Sequence, residues 1–482
     1  MANWTSALIG SDLISFPTQV FSSIFSPSPW LAEVAESEAE IEPLVLASVL
    51  LSLIVIYLAA KLGGELCARI NLPSVLGELV GGVIVGVSAM HLIVFPEGGA
   101  EVNSLLMNVV GMTAGQSPEG LMRVFQGESE VISVLAELGV IILLFEIGLE
   151  SDLKELIRVG PQAAVVAVVG VVAPFAAGTV GLIALFGIDT IPAVFAGAAL
   201  TATSIGITAK VLAEMQQLSS KEGQIIIGAA VLDDVLGIIV LAVVASLAKT
   251  GEIEILNVVY LIAGAATFLV GSIFLGRLFS PYFVKVVDEM RTRGQVIISS
   301  LVFAFVLAYI AAAIQLEAIL GAFAAGLILA ETSKHKEIEE QISPIADMLV
   351  PIFFITVGAR TDLSVLNPLE PANREGLIIA SFLVVIAVIG KVIAGFAIFG
   401  QPGINRLAVG VGMIPRGEVG LVFAGVGAAS GVLTESLEAA IIVMVIFTTF
   451  LAPPLLRVVF KDDEEAIAPP AAQLAEEVES TP

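Results

Sequence analysis

The stretch AAVLDDVLGIIVLAVVA, residues 229–245, places two adjacent acids, Asp233 and Asp234, inside an apolar run long enough to cross a bilayer. On insertion scales, one acid at the centre of a membrane helix costs roughly 2.5–3.5 kcal/mol. Neighbouring residues on a helix point about 100° apart, so the two carboxylates cannot serve one site equally. We therefore expect one acid to face an aqueous cavity and the other to face a neighbouring helix.

The composition of the 482-residue chain is that of an all-α polytopic membrane protein, with 57% hydrophobic and 14% charged residues. Soluble domains carry about 25% charged residues. About half of the net charge of −25 lies in the acidic terminal segments 1–42 and 461–482, and the acidic balance argues against nucleic acid as a partner. The sequence has no phosphate-binding Gly-Lys-Ser/Thr loop, so we expect an ion gradient to supply the energy and no cofactor to be needed.

Apolar runs of the length that spans a bilayer occur about thirteen times along the chain. They lie at approximately 43–60, 74–94, 130–149, 161–187, 191–213, 223–248, 255–279, 294–313, 316–331, 343–358, 376–400, 404–431 and 435–456. With the N-terminus outside, fifteen of the 21 Lys and Arg residues fall on the cytoplasmic side, four fall outside, and two lie within spans. The positive-inside rule therefore supports an outer N-terminus, a cytoplasmic C-terminus and an odd number of spans.

Segments outside the spans complete the predicted organisation. Residues 1–42 form an extracytoplasmic or interfacial N-terminal segment, and 43–457 form the membrane domain. The polar, Gly-rich residues 95–129 are expected to be a connection, and 461–482 a disordered, acidic cytoplasmic tail.

An internal repeat links the two halves of the chain. SVLGELVGGVIVG (74–86) resembles AILGAFAAGLILA (318–330), and LLFEIGLESDL (143–153) resembles FFITVGARTDL (353–363). Both pairs are shifted by seven spans, an odd number, so the two six-helix units must be inverted relative to each other. We expect inverted repeats at about 43–248 and 294–457, joined by a linker helix at 255–279. Inverted repeats are typical of transporters, with the site near the midplane.

Two spans with matching positions in the repeats are predicted to be broken, crossing helices. Pro415 and Gly417 interrupt GMIPRGEVGLVFAGVG (412–427) around Arg416 and Glu418, and the matching span contains Thr203 and Ser204 in GAALTATSIGITAKVLAEM (197–215). Freed carbonyls and hydroxyls suit a small hard cation. The alternative is that these hydroxyls only pack one span against its neighbours.

Two further charged residues lie within spans. Lys391 is the one charged residue within the apolar stretch 376–400, and burial disfavours its charged form, so it needs a carboxylate partner. About ten apolar residues flank it on each side, which disfavours snorkelling to the interface. Glu78 lies one turn inside the second span and is expected to reach Arg416 or a cation.

The motifs above, taken in order over residues 45–457, resemble the monovalent cation:proton antiporter 2 family, and bacterial, particularly cyanobacterial, sodium/proton antiporters within it. The resemblance implies a core domain and a dimerisation domain, assembled as a homodimer. It implies that Asp234 binds Na+ and H+ alternately, with Thr203 and Ser204 beside the ion. It also implies that Asp233 pairs with Lys391, while Arg416 and Glu418 belong to the second broken helix. The Asp-Asp pair with a lysine resembles the electrogenic type of exchanger, with two protons per sodium.

The function predicted from the sequence is therefore Na+/H+ exchange by alternating access, a transporter and not an enzyme. Adjacent acids on one helix cannot form an aspartyl-protease pair, whose carboxylates must come from separate helices. Potassium/proton exchange remains the main alternative, with Li+ as a further substrate, since the sequence does not reveal cavity size or ligand number. A gated cation channel would need a continuous pore. The expected location is the plasma membrane, or the thylakoid membrane if the chain is cyanobacterial, with membrane lipid around it.

Overall fold

The computed structural model describes residues 29–96, 104–114, 118–250, 255–367, 371–398 and 403–467. Within these ranges the chain is helical and contains no strand. The first nine helices are α1 Pro29–Arg69, α2 Ser74–Val85, α3 Leu105–Ala114, α4 Pro118–Glu150, α5 Leu153–Arg158, α6 Gly160–Phe186, α7 Thr190–Ala199, α8 Ile205–Glu214 and α9 Lys221–Thr250. They are followed by α10 Ile255–Glu289, α11 Gln295–Ala313, α12 Ala318–Ala330, α13 His335–Ala359, α14 Pro371–Phe396, α15 Arg406–Gly412, α16 Glu418–Ala429 and α17 Glu435–Ile467.

The helices have the lengths that a polytopic membrane protein needs. Among the described residues, nine are long and apolar enough to cross a bilayer, and four apolar helices are shorter. The all-helical membrane architecture is confirmed, while the exact number of thirteen spans stays a prediction. Both helices that we expect to be broken are interrupted, between Ala199 and Ile205 and between Gly412 and Glu418.

The boundaries of several elements differ from those predicted. The span predicted at 74–94 ends as a helix at Val85, because Gly86 is extended and packs against the backbone of Ala359, where a Cβ would collide. The expected connection 95–129 contains helix α3 and the start of α4. The linker helix α10 continues to Glu289 and α17 to Ile467, seven residues into the predicted tail. Residues 1–28 and 468–482 lie outside the described residues.

The helices form two bundles. Helices α1, α2, α4, α11, α12 and α13 pack on one another and are called the scaffold bundle. Helices α6–α9 and α14–α17 are called the core bundle, and it contains both broken helices. Helix α10 contacts α9 in the core and α11 and α12 in the scaffold, so it links the two bundles.

In the scaffold, one glycine contact is made twice, at matching positions of the two predicted repeats. A Cβ on Gly82 of α2 would collide with the carbonyl of Ile355 and lie 2.9 Å from Gly358 Cα on α13. In the other half, a Cβ on Gly326 of α12 would collide with the carbonyl of Phe145 and lie 2.9 Å from Gly148 Cα on α4. Small residues permit such close approach of membrane helices. Each predicted repeat therefore packs its second span against the third span of the other repeat.

The chain leaves these two packed helices in the same way. Asp152 follows α4 and accepts hydrogen bonds from the backbone N–H groups of Lys154 (2.8 Å) and Glu155 (3.2 Å). Asp362 follows α13 and accepts one from Ser364 N at 2.8 Å, at the start of the 3-10 helix Leu363–Leu366. An Asp side chain satisfies otherwise unpaired N–H groups at a helix start. The Asp-Leu pair shared by the two motifs is thus a repeated cap.

Candidate ion-binding site

The two interrupted helices cross at their unwound segments, residues 200–204 and 413–417. Ser204 N donates a hydrogen bond to Pro415 O at 2.8 Å, and Thr203 Oγ1 donates to Met413 O at 3.2 Å. At Gly417 a Cβ would lie 2.8 Å from Ser204 Oγ, so glycine allows the segments to meet. Because the backbone groups freed by the breaks bond across the crossing, the unwound segments are tolerated at membrane depth.

Lys391 and Asp233 form an ion pair beside this crossing. Lys391 Nζ lies 3.0 Å from Asp233 Oδ2, and both side chains have no exposed surface. The ammonium also donates to Thr201 O at 2.7 Å, in the first unwound segment. Asp233 Oδ1 has no hydrogen-bond partner in the described part of the chain. The pair makes each buried charge tolerable, but it leaves one carboxylate oxygen unsatisfied.

Arg416 is a second fully buried cation, and it holds the broken ends together. Its guanidinium donates to Leu200 O at 2.7 Å, at the C-terminal end of α7, and to Met413 O at 3.2 Å, at the C-terminal end of α15. Thr449 Oγ1 on α17 donates to Arg416 O. Helix C-termini carry partial negative charge and unpaired carbonyls, so a cation stabilises them. Among the described residues, the hydrogen bonds of Arg416 therefore stabilise the carbonyl ends of two half-helices.

Asp234 faces a small cavity at the opposite ends of the half-helices. The cavity is lined by Thr203, Ser204, Ile205, Asp234, Glu317, Ile319, Gly417 and Val419. Its volume of about 10 Å³ has room for one water-sized particle. Asp234 is 3% exposed. Ser204 and Gly417 occupy the N-cap positions of α8 and α16, so partial positive charge from both half-helices lies beside this carboxylate.

The donor set suits a monovalent hard cation or a proton. Carboxylate and hydroxyl oxygens are the ligands that hard cations prefer, and one particle of this size fits among them. Asp233 does not line this cavity; it faces Lys391 instead. The two adjacent acids thus lie in different surroundings, as their angular separation on a helix requires.

Glu78 does not join this arrangement. It lines a cavity of about 510 Å³ between the bundles, together with Lys61, Lys210 and Asp347. One oxygen of Glu78, Oε2, has no hydrogen-bond partner among the described residues. The hydrogen bonds of Arg416 go to backbone carbonyls, so the expected contact between Glu78 and Arg416 is absent from the described structure. The side chain of Glu418 lies outside the described residues.

Glu317 is a cavity residue that the sequence analysis missed. It precedes α12 in the segment QLEAILG and is contributed by the scaffold, whereas Asp234, Thr203 and Ser204 belong to the core. An acid just before a helix has an ordinary explanation in the positive N-terminal dipole. No signal in the sequence therefore marks it.

Comparisons with known proteins identify the family of this chain. The chain matches the model of the sodium/hydrogen exchanger transmembrane family over residues 49–461. It is 67% identical over 442 residues to the high-affinity Na+/H+ antiporter NhaS3 of Synechocystis sp., covering 92% of this chain and 96% of that protein. It is 31% identical to the Na+/H+-K+ antiporter GerN of Bacillus cereus over 86% of this chain and 96% of that one.

A solved structure supports the fold independently. The sodium proton antiporter MjNhaP1 of Methanocaldococcus jannaschii superposes with a TM-score of 0.58 at 15% identity, covering 86% of this chain and 99% of that one. The match extends over both bundles, so the helical architecture as a whole is shared. The protein is an integral, multi-pass membrane protein, and it belongs to the sodium/hydrogen exchanger family.

Proposed function

We propose that the chain is a secondary transporter that exchanges Na+ for H+ across a membrane, with Asp234 as the group that both ions use. The observation that carries this proposal is the cavity at the crossing, where one buried carboxylate and two hydroxyl-bearing residues surround space for one small particle. The high identity to a protein named as a Na+/H+ antiporter supports Na+ and H+ as the two exchanged ions.

Competition for a single negative charge is sufficient for exchange. When Na+ occupies the cavity, the carboxylate of Asp234 is its charged ligand, with Thr203 and Ser204 supplying further oxygens. When a proton neutralises Asp234, the electrostatic attraction for Na+ is lost and the cation leaves. If the site faces only one side of the membrane at a time, each crossing carries one kind of ion, and the two fluxes are coupled.

Movement of the core bundle against the scaffold supplies the alternating access in this mechanism. The two bundles meet at polar contacts that are able to separate, such as the hydrogen bond from Ser74 N on α2 to Glu214 Oε2 on α8, 2.7 Å long. The half-helix crossing belongs to the core, so its internal bonds move with the site. The scaffold, held by its paired glycine contacts, stays in place.

Everted membrane vesicles with a pH-sensitive dye test the exchange. After a respiratory proton gradient is established, addition of Na+ should collapse it in vesicles containing this protein and not in vesicles from cells lacking it. Absence of any cation-dependent collapse in the presence of well-expressed protein contradicts the proposal.

Potassium/proton exchange is the second candidate, because the relative GerN is named as a Na+/H+-K+ antiporter. The cavity has room for a single small ion, and its volume is compatible with Na+, Li+ and K+ alike. Adding K+ instead of Na+ in the vesicle assay separates the candidates. A larger collapse with K+ than with Na+ would replace Na+ by K+ as the principal substrate.

We further propose that transport is electrogenic and that Lys391 carries the second proton. When the pair with Asp233 separates, the buried ammonium loses the carboxylate that stabilises its charge and releases a proton. The measurement is the reversal potential in proteoliposomes, which gives the charge moved per cycle. Lys391→Ala should reduce the charge moved per cycle. An unchanged charge per cycle would show that Lys391 does not carry the second proton.

We also propose that the chain forms a homodimer in a plasma or thylakoid membrane. Exposed apolar side chains on α1 recur every fourth residue at Leu46, Leu50, Ile54, Leu58, Leu62 and Leu66. This stripe is suited either to lipid or to a second copy of the chain. Cysteine cross-linking along the stripe in native membranes distinguishes the two, since only a dimer gives a covalent product of twice the chain mass.

A further inference from the structure

The cavity at the crossing is lined by a second acidic residue, Glu317, which comes from the other bundle. Asp234, Thr203, Ser204 and Gly417 are core residues, while Glu317 and Ile319 come from the start of α12 in the scaffold. Glu317 has extended backbone angles, φ −69° and ψ 137°, directly before the first helical residue. The backbone of the scaffold therefore fixes its position independently of the core.

The topology places Glu317 in the outer half of the membrane. Helix α11 begins directly after the basic residues Arg291 and Arg293, which the positive-inside rule places at the cytoplasmic surface. The chain crosses the membrane along α11 and turns at residues 314–317, so α12 starts from the outer half. The acid at the other end of α12, Glu331, then lies on the cytoplasmic side.

A carboxylate fixed to the scaffold contacts the ion in only part of the cycle. In the present arrangement Asp234 and Glu317 line one cavity, with room for one small particle between the bundles. Motion of the core relative to the scaffold carries Asp234, Thr203 and Ser204 together and leaves Glu317 behind. The ion site therefore has two carboxylates in one position of the core and one carboxylate in the other.

We infer that Glu317 is a second ion-binding group of the transport site, used during exchange with the outer side and absent from the site that faces the cytoplasm. This inference rests on the proposed function. Glu317 supplies an oxygen ligand as the cation passes between Asp234 and the outer solution, so the cation does not lose all of its protein ligands at once. A hard cation held by several oxygens is stabilised by each additional carboxylate.

The test compares apparent Na+ affinities from the two sides of the membrane. Right-side-out and everted vesicles prepared from the same cells expose the outer and the cytoplasmic faces. Glu317→Gln should raise the Na+ concentration for half-maximal exchange about tenfold in right-side-out vesicles, equivalent to about 1.4 kcal/mol. It should leave the value in everted vesicles unchanged. Glu331→Gln, at the cytoplasmic end of the same helix, is the matched control and should not change the outer value.

Several outcomes overturn the inference. Unchanged affinity on both sides shows that Glu317 does not bind the ion, and an equal loss on both sides shows that it acts in both positions of the core. If the Glu317→Gln protein does not fold, the same assay is carried out with Glu317→Asp, which keeps the charge and shortens the side chain by one methylene. A shift confined to the outer side supports the inference, and any other pattern overturns it. Absence of exchange in the unsubstituted protein would instead contradict the proposed function itself.

Discussion

The scaffold and core bundles use the same inverted repeat in opposite ways. In the scaffold the two repeats make equivalent contacts, Gly82 with Gly358 and Gly326 with Gly148. In the core both repeats supply a broken helix, but one repeat supplies Asp233 and Asp234 and the other supplies Lys391 and Arg416. Equivalent packing suits the fixed frame, and unequal charges suit the single ion site, of the mechanism that we propose. Symmetry of the backbone and asymmetry of the charges therefore have separate roles.

The largest expected effect on stability is at the buried pair of the core. Lys391→Met leaves Asp233 as an uncompensated buried charge and should destabilise the folded protein by about 3–5 kcal/mol. The double variant Asp233→Leu with Lys391→Met removes both charges and should recover most of that loss. Thermal unfolding of the detergent-solubilised proteins measures both. A single variant as stable as the parent would show that the pair is not required to neutralise Asp233.

The next effect tests whether the scaffold contacts are equivalent. Gly82→Ala and Gly326→Ala each insert a Cβ into a facing carbonyl, and each should cost about 1–3 kcal/mol of stability. Gly264→Ala on α10 is the control, because a Cβ there meets no atom within 4 Å. The control should be neutral or slightly stabilising, since Ala favours helix over Gly. Tolerance at one contact and severe loss at the other would contradict equivalent packing.

A smaller effect, on transport more than on stability, is expected at the crossing. In Gly417→Ala, the added Cβ would lie 2.8 Å from Ser204 Oγ and crowd it. The backbone angles of Gly417, φ −137° and ψ −147°, are accessible to Ala, so the substitution acts through this contact and not through the backbone. We expect weaker apparent Na+ affinity with little change in melting temperature. Gly425→Ala on the same helix α16 meets no atom within 4 Å and is the matched control. Equal transport by the two variants would argue against Ser204 as an ion ligand.

The smallest effect is expected at an exposed ion pair whose N–O distance is similar to that between Lys391 and Asp233. Arg69 Nε lies 2.9 Å from Glu65 Oε1, but the side chains are 74% and 61% exposed. Glu65→Ala should change stability by at most about 1 kcal/mol, because water and salt screen exposed pairs. The contrast with Lys391→Met, measured by the same unfolding assay, isolates the effect of burial. A loss comparable to that of Lys391→Met would show that burial does not set the energy of these pairs.

Those parts of the fold that rest on local chemistry were predictable from the sequence. Glycine and proline in an apolar span marked the break before Gly417, and an isolated lysine within a span implied an acidic partner for Lys391. The seven-span shift of the repeats predicts inversion, and the shared Asp-Leu motif forms an equivalent cap at Asp152 and at Asp362.

Features that depend on packing between bundles were not predictable. Glu317 is ordinary as a residue before a helix and becomes a site residue only because the crossing lies against α12. Glu78 is unusual in a span but lines a cavity with Lys210 of α8 and Asp347 of α13, and it does not line the cavity at the crossing. Helix α3 was hidden in a stretch whose polar, Gly-rich composition indicated a loop.

The most direct test of unequal roles for the two adjacent acids is to neutralise them one at a time. In proteoliposomes containing the purified protein, Na+-dependent proton movement should fall to background for Asp234→Asn. Asp233→Asn should still exchange, with fewer charges moved per cycle because the partner of Lys391 is altered. Full Na+-dependent proton movement by Asp234→Asn, or indistinguishable behaviour of the two variants, would contradict the assignment of Asp234 as the exchanging carboxylate.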